Sequence, residues 1–424
     1  MILCISIFTI LTIVGTPTGI SMGLAALIGG LVYSVPMPEM AGQFLSDSSS
    51  YLLLAVPFFV LSGNLSHAGK ITERIFEFSR SLTGWLPGGL AHANILSSLF
   101  YAGMAGSAAA DAAGLGSVKV KAMEEEGYTP AFSGAVTAAS SVIGPVFPPS
   151  IPLVIYGTLA GVSVRRLFIG GVLPGVLMCL GLMIPILFLS GSFHLSGTAF
   201  DPQEMLQCLI RSLWALLTPV LILVGFITGW FTPAGGACVA AAYALVTSIL
   251  IYRSLDWKSF KSCMLEAGAA SANTLFIIGT ASLFTWVAGH AGAPFSVAPL
   301  LSWLAARPAI LLLVIHAILL IAGMFLEPVA IMALALPVFL PLIRDAGIDS
   351  VHFGVILVLN LMIGQITPPF GISLFILSHK TGVSVRELWK AIFPFLIPLL
   401  VVLLVCTFAP DVVLALPELL IQGQ

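Results

Sequence analysis

The sequence predicts an all-α polytopic membrane protein with an internal repeat, in which each half holds a re-entrant hairpin and a broken helix. Three observations lead to this fold class. Of the 424 residues, 59% are hydrophobic and only 8% are charged, whereas a soluble domain carries roughly 25% charged residues. The mean hydropathy is +1.11. Apolar segments of spanning length recur along the chain, and the second half repeats the glycine and proline pattern of the first.

The apolar segments indicate where the chain crosses the membrane. Two of them, 129–162 and 351–379, are too long for one span, and each is broken near its middle by a Gly/Pro cluster. Two more, 88–118 and 308–343, are interrupted at their centres, which leaves halves too short for a full crossing and predicts re-entrant hairpins. Charged and apolar residues alternate at near-helical spacing over 70–85, which predicts an interfacial amphipathic helix. The segments of single-span length are 2–14, 20–34, 51–67, 168–190, 207–229, 234–251, 268–289 and 391–409.

The internal repeat has a constant displacement of 220 residues. Ala102-Gly103-Met104 recurs as Ala322-Gly323-Met324. A constant displacement over several anchors is not expected by chance, so we predict a first repeat over 1–212 and a second over 213–424. The further anchors are Gly127 with Gly347, Gly134 with Gly354, Gly144 with Gly364, and Pro148-Pro149 with Pro368-Pro369.

The distribution of basic residues orients these segments. If both hairpins return to the side from which they start, four basic residues face one side, namely Arg165, Arg166, Arg307 and Arg344. The other side holds more basic residues, and the positive-inside rule therefore makes it the cytoplasmic side. Ten full spans then place both termini outside, and equivalent segments of the two halves run in opposite directions. Such an inverted repeat is typical of secondary transporters with a site near the middle of the membrane. The cytoplasmic side collects Lys70, Arg74, Arg80, Lys119, Lys121, Arg211, Arg253, Lys258, Lys261, Lys380, Arg386 and Lys390.

Each half combines a glycine-rich hairpin tip with a proline-rich helix break. The tips are 103–111 and 323–328, and the breaks are 144–150 and 364–371. Consecutive prolines interrupt helical hydrogen bonding, and the freed carbonyl groups must then be satisfied by protein, water or a bound cation. Carbonyl and hydroxyl oxygens suit a hard cation such as Na⁺, while the N-termini of half-helices attract an anion. Ordinary proline kinks are the alternative interpretation, but they do not require two matched Pro-Pro breaks.

Few ionisable residues lie within the apolar segments. Glu327 occupies the repeat position of Ser107 on the second tip, and Asp111 lies one turn beyond Ser107 on the first. An ionisable group at membrane depth is a functional candidate by default, with helix packing or capping as the alternative for Asp111. We expect His316 to be a hydrogen-bonded core histidine and Asn360 to bond between helices.

Motifs of other functional classes are missing from the sequence. It has no GxxxxGK[ST] nucleotide-binding motif and no HExxH or GxSxG motif, and its six cysteines include no CxxC pair. Its low charge content is incompatible with a soluble enzyme or a nucleic-acid-binding protein. We therefore expect a transport protein rather than an enzyme, with no nucleic-acid partner.

The tips and breaks resemble those of the large membrane subunit of tripartite ATP-independent periplasmic (TRAP) transporters. The resemblance is carried by GMAGSAAAD at 103–111, GPVFPPS at 144–150, QITPPFG at 365–371 and VPFFVLSGN at 56–64. It implies the elevator-type fold of the ion-transporter superfamily, in which a transport domain moves against a scaffold. We expect the transport domain to comprise 88–162 and 308–379, and the scaffold to comprise the remaining spans.

The same resemblance implies partners, a coupling ion and a location. The expected partners are a separate small four-helix membrane subunit, a periplasmic substrate-binding protein, and the lipid bilayer of the bacterial inner membrane. The expected coupling ion is Na⁺, and the expected substrate is an organic acid. The choice among C4-dicarboxylates, sialic acid and other sugar or keto acids stays open. A single-component cation-coupled carrier or antiporter is the alternative function.

The resemblance also implies one Na⁺ site at each tip and break, with the substrate between the two tips. Since Glu327 stands where the first half has Ser107, we expect the two sites to differ in their ligands. The predicted substrate-binding residues are Ser107, Asp111, Pro148, Glu327 and Pro368. The predicted ion ligands are Gly103, Ser107, Gly144, Phe147, Pro149 and Ser150 in the first half, and Gly323, Glu327, Gly364, Thr367 and Pro369 in the second.

Overall fold

A computed structural model describes residues 2–114, 116–190, 200–290 and 306–421, and all regular secondary structure in these ranges is helical. The α-helices are α1 (Ile2–Ile13), α2 (Thr18–Val32), α3 (Met37–Ser48), α4 (Ala55–Ala68), α5 (Ile71–Thr83), α6 (Gly89–Ala105), α7 (Ala108–Gly114), α8 (Gly116–Glu125), α9 (Pro130–Ser141), α10 (Ile151–Ala160), α11 (Val164–Ser190), α12 (Pro202–Thr228), α13 (Pro233–Val246), α14 (Trp257–His290), α15 (Pro308–Phe325), α16 (Pro328–Asp345), α17 (Ser350–Gly364), α18 (Ile372–Thr381), α19 (Val385–Phe408) and α20 (Asp411–Ile421).

Eight helical segments are long and apolar enough to cross a membrane, which agrees with the predicted polytopic fold. Large apolar side chains lie exposed on these helices, for example Phe188 on α11 and Ile397 on α19. Such side chains are stable in lipid, which is as apolar as they are. The eight segments are Tyr51–Ala68, Val164–Ser190, Pro202–Thr228, Pro233–Ile251, Trp257–Gly289, Pro308–Phe325, Pro328–Asp345 and Val385–Phe408.

Both over-long segments are broken where the sequence predicts. In the first half α9 ends at Ser141 and α10 begins at Ile151. In the second half α17 ends at Gly364 and α18 begins at Ile372. The Pro-Pro pairs lie inside the two non-helical stretches because proline donates no backbone hydrogen bond.

The two hairpins differ from each other in length. In the first, α6 has 17 residues and returns through the shorter α7 and α8. In the second, α15 and α16 have 18 residues each, longer than the sequence indicated and long enough to cross a membrane. Helix length therefore does not distinguish a re-entrant hairpin from two crossings here, and both the re-entrant course and the inverted orientation stay predictions.

Several elements depart from the sequence-based expectations. Helix α14 begins at Trp257, well before the predicted start at 268. Helices α3 and α20 were not predicted. The expected amphipathic helix is present as α5, which buries Ile71 and Ile75 on one face.

Two groups of packed helices bear on the predicted division into domains. One group contains α2, α4, α13 and α14, and the other contains α9 with α19 and α11 with α17. Helices α11 and α19, which the sequence assigned to the scaffold, thus pack against the predicted transport segments. The division into scaffold and transport domain stays a prediction.

Candidate substrate and ion site

The first hairpin tip lies directly on the first helix break. After α6 ends, Gly106 adopts a positive φ of 58°, which glycine tolerates because it has no Cβ. The Gly106 carbonyl accepts a hydrogen bond from the Ile151 N–H at 3.3 Å. A Cβ on Gly106 would collide with the Pro149 carbonyl. The tip and the break therefore share backbone contacts that only glycine permits.

The first break is buried over 141–150. The Ser150 hydroxyl donates to the Pro145 carbonyl and accepts from the Leu153 N–H at 3.2 Å, so it caps the start of α10. Gly144 approaches the backbone of Ser107, since a Cβ on Gly144 would lie 3.8 Å from its nitrogen and oxygen. The structure thus brings together Ser107, Gly144 and Ser150, three predicted ligands of the first ion site.

The second tip contacts its break in a similar way. The Gly371 N–H donates to the Met324 carbonyl at 3.4 Å. Gly323 and Gly364, both predicted ligands, touch through their backbones. The Thr367 hydroxyl donates to the Ile363 carbonyl at 2.7 Å.

A cavity of about 340 Å³ lies between the two tips. Ser107 lines it from the first tip and Glu327 from the second. The Ser107 hydroxyl accepts weakly from the Ala110 N–H at 3.4 Å, whereas the Glu327 carboxylate makes no capping bond to α16. Pro145 and Gln365 of the two breaks complete this wall.

The opposite wall of the cavity was not foreseen from the sequence as part of a site. It is formed by Asn64 on α4 and by Glu266, Asn273 and Thr274 on α14. The α14 residues are seven and eight positions apart, so they share one helical face. Polar residues at this spacing beside an apolar run are the signal that could have identified them.

Other predicted site residues lie outside the cavity lining. Gly103 packs against Pro219 of α12, where a Cβ would collide with the proline ring. Phe147 packs against Gly175 of α11. Pro148 is buried in the first break and Pro368 is half-buried in the second. No described contact assigns these four residues to an ion or a substrate, and their roles stay predictions.

Asp111 points into the first hairpin rather than lining the cavity. Its carboxylate forms an ion pair with Lys119, with Oδ1 3.1 Å from Nζ. Lys119 is fully buried, so it is not an exposed charge of the predicted cytoplasmic face. The topology does not depend on it, because the positive bias remains without this residue.

The donor chemistry of the tips fits a hard monovalent cation. Among the described residues, no three His, Cys, Asp or Glu side chains form a group that could hold a metal ion. The tips and breaks instead offer backbone carbonyls with the hydroxyls of Ser107, Ser150 and Thr367. Such neutral oxygens suit Na⁺ better than a transition metal, which prefers imidazole or thiolate.

Comparison with known proteins places the chain in a family. Residues 5–412 match the family model of the tripartite ATP-independent periplasmic transporter, DctM component. The chain is 39% identical over 415 residues to the sialic acid TRAP transporter large permease protein SiaM of Vibrio cholerae, with 97% of each chain covered. It is 37% identical over 400 residues to the C4-dicarboxylate TRAP transporter large permease protein DctM of Pseudomonas aeruginosa, with 94% of each covered.

A solved structure has a similar fold. The crystal structure of the Alcanivorax borkumensis YdaH transporter aligns with a TM-score of 0.57 at 16% identity, covering 89% of this chain and 88% of that one. This likeness shows the fold alone. From the family model and the full-length relatives, we conclude that the chain belongs to the DctM component family of tripartite ATP-independent periplasmic transporters.

Proposed function

We propose that this protein carries an organic acid anion across the inner membrane, driven by Na⁺, through an elevator movement of its two hairpins. The observation that carries the proposal is the lining of the cavity between Ser107 and Glu327. None of the described residues that line it is Lys, Arg or His, whereas Glu266 and Glu327 both carry carboxylates. An anion placed there needs positive charge from another source, and cations bound beside it supply that charge.

Helix termini add to the favourable potential for an anion. Ile151 and Pro152 begin α10, and Pro328 and Val329 begin α16, and all four line the cavity. The N-terminus of a helix carries a partial positive charge from the aligned peptide dipoles. Together with Na⁺ at the two breaks, these termini account for anion binding without a basic side chain.

Small residues form the contact between the first hairpin and its neighbours. Gly63 on α4 packs against Ala105, and Pro219 on α12 packs against Gly103. When the hairpin slides over such a surface, few polar groups become exposed to lipid. Pulling a tip away from its break would instead leave backbone groups unpaired, at a cost of several kcal/mol for each group. This difference supports an elevator movement in which each tip stays with its break.

The family supports the proposed partners and substrate class. As a DctM component with helices able to cross a membrane, the chain is a multi-pass inner-membrane protein. We propose that it works with a small four-helix membrane subunit and a periplasmic binding protein. Relatives named for sialic acid and for C4-dicarboxylates match at similar identity, so the proposed substrate is an organic acid of the sialic, dicarboxylic, sugar or keto acid type.

Reconstitution tests the proposal. Proteoliposomes that contain this chain and its small subunit are supplied with the binding protein loaded with radiolabelled organic acid. Uptake is expected with an inward Na⁺ gradient, and no uptake is expected when choline replaces Na⁺ or when the binding protein is omitted. Robust uptake of free substrate without the binding protein would instead identify a single-component carrier, and uptake driven by a proton gradient alone would refute Na⁺ coupling.

A further inference from the structure

The first hairpin encloses a complete ion pair. The Lys119 ammonium on α8 is fully buried and lies 3.1 Å from Asp111 Oδ1 on α7. It also donates to the Ser98 hydroxyl on α6 at 2.6 Å. Both arms of the hairpin therefore converge on this one cation.

The Ser98 hydroxyl links the ammonium to a hydrogen-bond network that reaches α9. Ser98 donates to Asp111 Oδ2 at 2.6 Å, and its hydroxyl lies 3.0 Å from that of Ser140. Ser140 in turn donates to the Asn94 amide oxygen at 3.2 Å. A carboxylate oxygen and a hydroxyl oxygen are ligands that suit a hard metal cation, and here the lysine ammonium contacts both.

This pair belongs to the first half of the chain alone. At a displacement of 220 residues, the positions of Asp111 and Lys119 hold Ile331 and Phe339. The pair is also close to the tip, because the Asp111 N–H donates to the Ser107 carbonyl at 3.2 Å. The Asp111–Lys119 ion pair therefore lies within one helical turn of Ser107, which lines the cavity.

We propose that the Lys119 ammonium is a tethered cation that occupies a cation site built from Asp111 and Ser98, and so keeps the coupling ion out of it. The proposal rests on the proposed function only in naming Na⁺ as that ion. Removing the ammonium leaves the buried carboxylate with the Ser98 hydrogen bond but without a compensating positive charge, and an uncompensated buried charge is strongly destabilising. The Asp111 carboxylate and the Ser98 hydroxyl then recruit a dissolved cation in place of the lysine.

Thermal unfolding of the purified membrane complex tests this replacement. Lys119→Met removes the ammonium and keeps the aliphatic chain, and Asp111→Asn/Lys119→Met removes both charges. Lys121→Met is the matched control, because Lys121 is on the same helix and its side chain is 78% exposed.

Tm is measured in Na⁺ and in choline at equal ionic strength. A bound cation stabilises the folded state by mass action, so we expect the Na⁺-induced rise in Tm to be larger for Lys119→Met than for the wild type. The double variant and Lys121→Met should show only the wild-type rise.

The outcomes separate this proposal from a purely structural role. A lower Tm for Lys119→Met with no additional response to Na⁺, or an additional response that persists in the double variant, would overturn it. If Lys119→Met cannot be purified in choline, recovery in Na⁺ supports the proposal. The proposal is contradicted if Lys119→Met cannot be purified in either salt while the double variant can be purified in both. None of these measurements requires uptake, so Na⁺-independent uptake by the wild type would refute the proposed function without deciding the role of Lys119.

Discussion

Gly323 on α15 and Gly364 on α17 bring their backbones into direct contact at the second tip. A Cβ on Gly364 would lie 2.8 Å from the Gly323 Cα, and one on Gly323 would lie 3.2 Å from the Gly364 Cα. Backbone atoms cannot rotate away as a side chain can. This contact therefore fixes the position of the second tip against its break more rigidly than side-chain packing alone would.

Gly364→Ala is expected to lower Tm and to weaken Na⁺-dependent uptake. The methyl group forces the tip and break apart, and overpacking of this kind costs about 1–3 kcal/mol. Gly268→Ala on α14 is the control, because nothing lies within 4 Å of its Cβ position. Equal Tm values for the two variants would show that the backbones are not in contact.

Ser107→Leu is expected to abolish Na⁺-dependent uptake and leave Tm close to that of the wild type. Leucine removes a hydroxyl and projects into the cavity, whose volume of about 340 Å³ accepts the larger side chain without displacing helices. Ser107→Thr keeps the oxygen and should retain uptake. Normal Na⁺ dependence in well-expressed Ser107→Leu protein would exclude Ser107 from ion binding.

Disulfide pairs should distinguish an elevator from a rocking movement of the two repeats, in a background without the six native cysteines. Gly116 of the first hairpin and Leu377 of the second broken span are neighbours, and a Cβ on Gly116 would lie 2.8 Å from Leu377 Cδ1. The double variant Gly116→Cys/Leu377→Cys joins parts of the proposed moving body, so uptake should survive oxidation.

The complementary pair joins the first hairpin to the proposed scaffold. A Cβ on Gly63 would lie 2.7 Å from the Ala105 Cβ, so a small shift reaches the Cβ separation of about 3.5–4.5 Å in disulfides. Oxidised Gly63→Cys/Ala105→Cys protein should lose uptake and regain it on reduction. The reverse pattern, with the Gly116–Leu377 bond blocking uptake and this one permitting it, would support rocking.

Arg165→Gln is expected to destabilise the protein. The Arg165 guanidinium donates to the Phe226 carbonyl at 2.8 Å and to the Ile227 carbonyl at 2.7 Å. These bonds satisfy the C-terminus of α12, and hydrogen bonds of charged groups contribute about 1.5–3 kcal/mol. Arg166→Gln is the neighbouring control and should leave Tm unchanged. Similar Tm losses in both variants would mean that the α12 carbonyls are not the cause.

Hydropathy and proline patterns located both breaks and six of the eight predicted single spans, whereas α1 and α2 are shorter than a full crossing. These patterns also missed elements whose helicity does not depend on apolar composition. Pro38, Glu39 and Gln43 interrupt the apolar pattern over α3, although none of them prevents a helix. Lys258 and Lys261 similarly concealed the first turns of α14. Backbone hydrogen bonding continues through charged residues, whereas an apolar run ends at them.

The candidate site was predicted in part. Ser107 and Glu327 could be identified because the repeat places them at equivalent positions on two tips. The burial of Lys119 could not, since Lys121 and Glu124 nearby indicate an exposed helix and the partner Asp111 is brought to it only by the packing of the hairpin. Glu266 could not be identified as a site residue for the same reason, because its helix lies far from both tips in the sequence and reaches the cavity only through packing.

The two breaks differ in their contact with the surroundings. The first is buried throughout, whereas Pro369 and Phe370 of the second are exposed. Irregular backbone cannot face lipid at membrane depth and requires water or protein, so the exposed edge of the second break must border water or a partner protein. If that edge borders water and each break holds one Na⁺, the ion at the second break exchanges with solution first, and the ion at the first break follows only after the tip loosens. Ion release would then be ordered in time, and stopped-flow dilution of Na⁺ should resolve a fast and a slow phase.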